Sequence, residues 1–375
     1  MNNKKPVPHI IKKKVWPERY ARGWHVLAKA DQITTEPQTF DYFGSRILAY
    51  RGEDDNKVNV MDAYCPHMGA DLSKGCVKGN NIVCPFHAWE WGGDGLAKNI
   101  PYSKRIPPKA VIKAWPTLEK NGLLMVWNDH EGNDPIPEQE IARIDDYYSD
   151  EWTDWQVSQV TINTHCRELV DNMADMAHFG PVHYTSVKSF SNLQEGHKFV
   201  QYMVGAHDIL TEGDVPLTSI ATYEGPAYMT TTMTGMMDDL PMTVHLLVSH
   251  IPVNTNKFHI NFGVMMKKIP GVSEVENKAI VDAYTQMSLE SFQQDIEIWD
   301  NKVLVDNPVL CAGDGPFFMV REWYSQFYTD IAELPESFKE RKEHTTVAGP
   351  SVKETLEKMH AGAYSSKKVE EVEPA

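Results

Sequence analysis

Two short Cys/His loops restrict this 375-residue chain more than anything else in it. Cys65-Pro66-His67 is followed, after sixteen intervening residues, by Cys84-Pro85-Phe86-His87. Two thiol–imidazole pairs on two loops can ligate either a zinc ion or a [2Fe–2S] cluster with mixed ligands. Zinc sites usually place two or more residues between the members of the first pair. The single residue between Cys65 and His67 suits loops that aim both side chains at one pair of irons. The chain has only five cysteines, an odd number, so no disulfide framework is suggested. Free thiols point to a reducing compartment, and we expect a cytoplasmic protein.

The surroundings of the loops read as small β structure. Phe40–Tyr50 and Val58–Tyr64 are short runs of rough alternation, separated by a polar turn. Residues 111–118 and 123–127 flank Asn121-Gly122, a strong hairpin signal. An acidic stretch, Asp129–Asp150 with Pro135 and Pro137, reads as a linker, dividing the chain into 1–150 and 151–375. In the second part Trp155–Thr164 reads as extended. Residues 167–179 read as a helix stopped by Gly180-Pro181. Extended segments with turns near 212–213, 225–226 and 238–239 fill 201–266. A long helix is expected over 277–305, with Leu289, Phe292, Ile296, Trp299 and Val303 at 3–4–3–4 spacing. Beyond Glu333 the chain turns polar, and 365–375 reads as a frayed tail. Cys76 reads as a small buried apolar residue.

Charge and hydropathy narrow the class. A net charge of −16 argues against nucleic-acid binding, which needs a basic face. No apolar run approaches the length of a membrane span, and the basic N-terminus lacks the apolar stretch of a secretory signal. A hydrophobic fraction of 42% is enough for ordinary globular cores.

A second constellation lies at 171–183, Asp-Asn-Met-Ala-Asp-Met-Ala-His-Phe-Gly-Pro-Val-His. On a continuous helix Asp171, Asp175 and His178 would share one face, and His183 would return from a turn after Pro181. Two histidines and a carboxylate form the facial triad of non-haem Fe(II) oxygenases, which leaves coordination positions open for O₂. The long helix offers candidate carboxylates. Periodicity leaves Asp295 and Asp300 both open, on opposite flanks of its apolar stripe.

Cys-Pro-His-Met-Gly-Ala-Asp-Leu and Cys-Pro-Phe-His-Ala-Trp-Glu-Trp resemble the two cluster loops of Rieske proteins. That resemblance implies that Cys65 and Cys84 hold one iron of a [2Fe–2S] cluster, and His67 and His87 the other. Ala70 and Phe86 stand where respiratory Rieske proteins carry extra cysteines, so an oxygenase-type cluster is implied. D-N-x-x-D-x-x-H-x-x-x-x-H resembles the iron site of Rieske non-haem iron oxygenases. By that resemblance His178 and His183 bind a mononuclear Fe(II), with Asp295 as third ligand and Asp300 as the fallback. Asp175 would bridge toward His87 of a neighbouring subunit in a homotrimer, and Asn172 would sit near the iron.

Similarity extends along nearly the whole chain. Leu169–Phe179, Asp306-Asn307-Pro308, Asp314-Gly315-Pro316 and Trp323–Tyr328 resemble the 3-ketosteroid 9α-hydroxylase branch of that family. It implies an α+β fold: an all-β Rieske domain, then a catalytic domain whose curved antiparallel sheet grips a long helix. It also implies O₂-dependent hydroxylation of a 3-ketosteroid in steroid catabolism, at C9. Electrons would come from NADH through a separate flavin/iron–sulfur reductase. The runner-up is hydroxylation or O-demethylation of an aromatic substrate. Eight methionines between 203 and 266 allow a pocket for a large apolar ligand. Gly180-Pro181 departs from the bulkier residues expected between the two histidines.

Overall fold

In the computed structural model, which describes residues 7–13, 18–207, 215–237 and 240–364, Asn121 and Gly122 both adopt positive φ, 53° and 75°. That is the backbone of a two-residue I′ turn, and it joins a hairpin as the sequence predicts. Eleven strands make up this N-terminal region: β1 (Gly23–Lys29), β2 (Gln38–Tyr42), β3 (Ser45–Arg51), β4 (Val58–Asp62), β5 (Cys76–Lys78), β6 (Asn81–Val83), β7 (Glu90–Trp91), β8 (Ala97–Asn99), β9 (Ala114–Trp115), β10 (Thr117–Lys120) and β11 (Leu123–Asn128). They form three antiparallel sheets ordered β1-β11-β10, β2-β3-β4-β9 and β5-β6-β7-β8. The apparent run 40–50 is broken at Phe43–Gly44, where φ of 54° and 66° turns β2 back onto β3.

The C-terminal region is built on β12 (Gln156–Ile162), helices α1 (Arg167–Asp171) and α2 (Phe179–His183), then β13 (Thr185–Glu195), β14 (Lys198–His207), β15 (Leu217–Glu224), β16 (Tyr228–Met237), β17 (Leu240–Asn254) and β18 (Lys257–Met266). The chain ends with α3 (Glu274–Asn301), α4 (Phe317–Ser325), β19 (Lys342–Val347) and α5 (Val352–His360). One eight-stranded antiparallel sheet has the order β12-β18-β17-β16-β15-β14-β13-β19. Alternation along its strands sends Phe199, Tyr223, Val244, Val248, Phe262 and Val264 into one core with Val281, Ile296 and Trp299 of α3. The molecule is thus α+β, with an all-β N-terminal part and a curved sheet packed on one long helix.

Several expectations need correction. Residues 167–179 are not one helix, because α1 ends at Asp171 and turns occupy 172–178. Gly180-Pro181 does not stop a helix but lies in the first turn of α2, where an absent N–H costs nothing because first-turn donors have no intrahelical acceptor. His183 therefore ends a helix rather than leaving a turn. The long helix begins three residues earlier than expected, at a reciprocal Ser273–Glu276 capping box, and ends at Asn301. Val303 lies beyond it and is exposed. Cys76 is exposed, not buried. The acidic stretch 129–150 is no free linker: Ile141 is buried among Trp24, Leu123, Trp155 and Tyr228 from both parts of the chain. Past Glu333, β19 extends the eight-stranded sheet and α5 packs on it. The turns near 212–213 and 238–239 and the tail 365–375 lie outside the described residues. Among the described residues no helix is long and apolar enough to cross a membrane.

Candidate metal centres

The two Cys/His loops close in the same way. Cys65 N donates to Ala70 O at 2.8 Å and Gly69 N to Cys65 O at 2.8 Å. In the second loop Cys84 N donates to Trp89 O at 2.8 Å and Ala88 N to Cys84 O at 3.0 Å. Each loop is a six-residue turn whose fifth member has positive φ, 76° at Gly69 and 55° at Ala88. Glycine adopts this without strain, whereas Ala88 holds an uncommon backbone geometry fixed by its loop.

The turns bring Cys65, His67, Cys84 and His87 together. Both sulfurs are buried, and the imidazole centroids are 4.6 Å apart. His67 stacks on Trp89 at 4.6 Å and 13°, which fixes its ring plane. Nδ1 of His67 and Nδ1 of His87 are buried with no protein partner. Burial, with Cys84 close by, raises the pKa of the Cys65 thiol. Two buried thiols side by side and two orphaned ring nitrogens are what a bound cationic centre would satisfy. The donor set fits a two-iron cluster with two sulfur and two nitrogen ligands.

A second donor set forms far along the chain. His178, His183 and Asp295 bring one ligand atom each to within 4.8 Å of one another. The turn 172–178 and the short α2 present the two histidines, with ring centroids 5.1 Å apart. His178 Nδ1 is 2.6 Å from Asp175 O, so Nδ1 carries the proton and Nε2 is left with its lone pair. His183 Nε2 lies 3.1 Å from Asp295 Oδ2, and Asp295 is only 5% exposed on α3. Burial disfavours an imidazolium at His178, but the Asp175 and Asp295 carboxylates outweigh it and raise its pKa. Burial likewise works against the Asp175 carboxylate, yet pairing with His178 leaves its pKa lowered. Two nitrogens and one oxygen converging from one side suit a ferrous ion with open positions opposite.

Other sequence candidates fall differently. Asp300 accepts a hydrogen bond from Asn163 N at 2.9 Å and is not part of the donor set. Asp171 does not share a face with Asp175 and His178; it is buried against Arg321, which reaches it at 3.0 and 2.6 Å. Asn172 contributes its carbonyl, which accepts from Asp175 N at 3.2 Å and Gln201 Nε2 at 3.3 Å. A further cluster of His130, Glu131 and Asp330 is laced with Arg19 and Arg22, and works as an ion-pair junction between the two parts of the chain.

Sequence reading missed the groups that hold this centre in place. Arg167, Glu168 and Asp171 of α1 are buried and form one network with Arg321 of α4 and the exposed Lys302 after α3. Arg167 and Arg321 both also donate to Val305 O, at 3.0 and 3.2 Å. The strap after Asp295 is thereby tied to the element before His178. Gly315 packs so closely that a Cβ there would lie 1.8 Å from Ala174 O. A lone arginine in the aromatic run Phe317–Tyr324 was the available signal for Arg321.

Residues 23–116 match the Rieske [2Fe-2S] domain family, and residues 126–328 match the 3-ketosteroid 9α-hydroxylase C-terminal domain family. A 3-ketosteroid-9-alpha-monooxygenase oxygenase component of Rhodococcus rhodochrous is 43% identical, over 87% of this chain and 86% of that protein. One from Mycobacterium tuberculosis is 40% identical, over 87% and 86%. Dicamba monooxygenase bound to 3,6-dichlorosalicylic acid superposes with a TM-score of 0.67 at 16% identity, over 82% of this chain and 98% of that one. That likeness shows the fold alone.

The family matches define a Rieske-type oxygenase component, an oxidoreductase with a Rieske [2Fe–2S] domain. Such a component takes its electrons from a reductase partner and uses O₂. The chain belongs to the family of 3-ketosteroid 9α-monooxygenase oxygenase components.

Proposed function

We propose that this chain hydroxylates a 3-ketosteroid at C9 during steroid catabolism, in a cytoplasmic homotrimer. The balance is one C–H substrate, O₂, two electrons and two protons giving the alcohol and water. NADH supplies the electrons through a flavin/iron–sulfur reductase. The observation that carries this reading is the convergence of His178, His183 and Asp295 in a chain that also holds the Cys65–His67–Cys84–His87 loops. In this reading those four residues hold the cluster, the triad holds Fe(II), and the domain boundary falls near residue 150. When bound, the ferrous centre supplies O₂ activation and the cluster supplies single electrons.

The chain's own residues do the rest. Asp175 fixes the His178 tautomer through its carbonyl and offers its carboxylate to His87 of a neighbouring protomer. Asn172 bonds through its backbone behind that carboxylate. Among the described residues, the ring contacts of His67 and His87 are to each other and to Phe86, Trp89 and Tyr102, and none reaches the triad. Met229, Met233, Met242 and Leu246 of the sheet, with Leu289 and Phe292 of α3, form an apolar wall on the helix that carries Asp295. That wall suits a bulky, water-excluding substrate. A depletion screen of 3-ketosteroids against aromatic acids, with a surrogate reductase and NADH, tests the assignment. Consumption of a steroid with one hydroxyl gained supports it; turnover of aromatic acids alone overturns it.

A further inference from the structure

Deep between the sheet, α4 and β1, six buried side chains end in polar atoms that no protein group meets. They are Asn192 Oδ1, both amide atoms of Gln194, Trp323 Nε1, Tyr223 OH, both ring nitrogens of His250, and His25 Nδ1, which makes no hydrogen bond although the His250 carbonyl faces its ring. None of the six residues is more than 1% exposed. They are also neighbours. Gln194 is the register partner of Phe199, and Phe199 of Tyr223. The Trp323 ring lies 5.3 Å from Phe199 and 5.9 Å from Tyr223, and Tyr223 lies 6.1 Å from His250. Burial, with repulsion from His25 added, holds His250 neutral.

The row has two ends. Asn192 Nδ2 donates to Met173 O at 2.6 Å, so one end rests against the back of the Asn172–Asp175 turn. At the other, His25 Nε2 meets Ala21 O at 3.1 Å, next to the Arg22–Asp129 pair of the domain junction. An orphaned buried donor or acceptor costs about 1–3 kcal/mol. A neutral imidazole owns one of each, and His250 has neither satisfied by protein. Groups of this kind, set close together in a core, are the sites that internal water fills.

We propose that this row is a built water site, a chain of ordered internal waters from the domain junction to the back of Asn172–Asp175, and that it admits the protons the reaction consumes. The proton role rests on the function proposed above; the waters do not. Each turnover takes up two protons and two electrons, places one oxygen atom in a C–H bond and releases the other as water. The reductase supplies the electrons, and the protons end in that water. No member of the row belongs to either donor set, so its variants leave the metal ligands intact.

High-resolution X-ray or neutron diffraction of the full chain tests the site directly. Ordered water within hydrogen-bond distance of His250 and Tyr223 is expected, and a dry row overturns the whole proposal. Tyr223→Phe and His250→Phe then test the role, the former removing only a hydroxyl. Both should keep iron content and cluster spectrum while product formed per NADH falls on the order of tenfold, hydrogen peroxide replaces it, and the solvent deuterium isotope effect changes. Unchanged coupling and isotope effect in both variants overturn the proton role even if water is seen. A native protein that hydroxylates no steroid would sink the function assigned above and leave the diffraction result standing.

Discussion

Asp175 presents two oxygens to His178, its carbonyl at 2.6 Å and its carboxylate Oδ1 at 3.7 Å from the same ring nitrogen. The carbonyl settles the tautomer, so the carboxylate, whose Oδ1 accepts from His178 N at 3.3 Å, is not needed for that and can serve a second partner. Asp175→Ala should therefore keep iron at the triad and the colour of the cluster, yet lower coupled turnover by about 10–100-fold, the scale of losing an oriented outer carboxylate. Single-turnover product formation from the reduced protein checks this, and full activity would remove the bridging role. Asp295 and Asp300 separate just as sharply. Asp295→Asn should lose the mononuclear iron, whereas Asp300→Ala should retain it and lose only the bond from Asn163 N. Metal analysis of the two variants side by side decides between them.

At the scale of elements, α1 is five residues long and could not hold its position by helix propensity. Ion pairs from its buried carboxylates to Arg321 and to the exposed Lys302 hold it instead. Arg321→Met would leave Asp171 charged or newly protonated in a buried site, and should destabilise the fold by about 3–5 kcal/mol. Denaturant unfolding measures this, and a loss under 1 kcal/mol, about the worth of a surface pair, would contradict it. Some elements could be read from sequence because short-range rules dominate them. Asn121-Gly122 imposes its own turn, and each Cys/His loop closes within six residues. Others depend on distant partners. Residues 167–179 carry a helical pattern, yet turns replace the helix after Asp171, where the triad histidines must be presented from a bend. The polar segment 342–347 lacks strand patterning because it is an edge that only β13 recruits. Asp295 could not be chosen over Asp300 by periodicity, since what separates them is the position of His183.

Across the whole molecule, β1 belongs to the N-terminal sheets but packs against the catalytic sheet, and this junction collects three buried histidines. Burial lowers the pKa of His25 to about 4 and that of His165 to about 3, and holds that of His250 well below the ordinary imidazole range with help from its two neighbours. Arg167 adds repulsion at His165, while the carbonyls of Ala21 and His250 face His25. The unfolded chain takes up these protons first, near pH 6.5, so the stability they contribute is complete above that pH and drains away as pH falls toward 4. His25 alone accounts for about 3 kcal/mol of that loss. Urea midpoints should fall steadily from pH 7 to pH 5, and a flat profile over that window would contradict the buried neutral state. The account as a whole stands on two separate metal centres in one polypeptide. Anaerobic reconstitution followed by iron and acid-labile sulfide analysis tests it most directly. Three irons and two sulfides per chain are predicted; two irons and two sulfides, with the Rieske spectrum intact, would reduce the protein to an electron carrier.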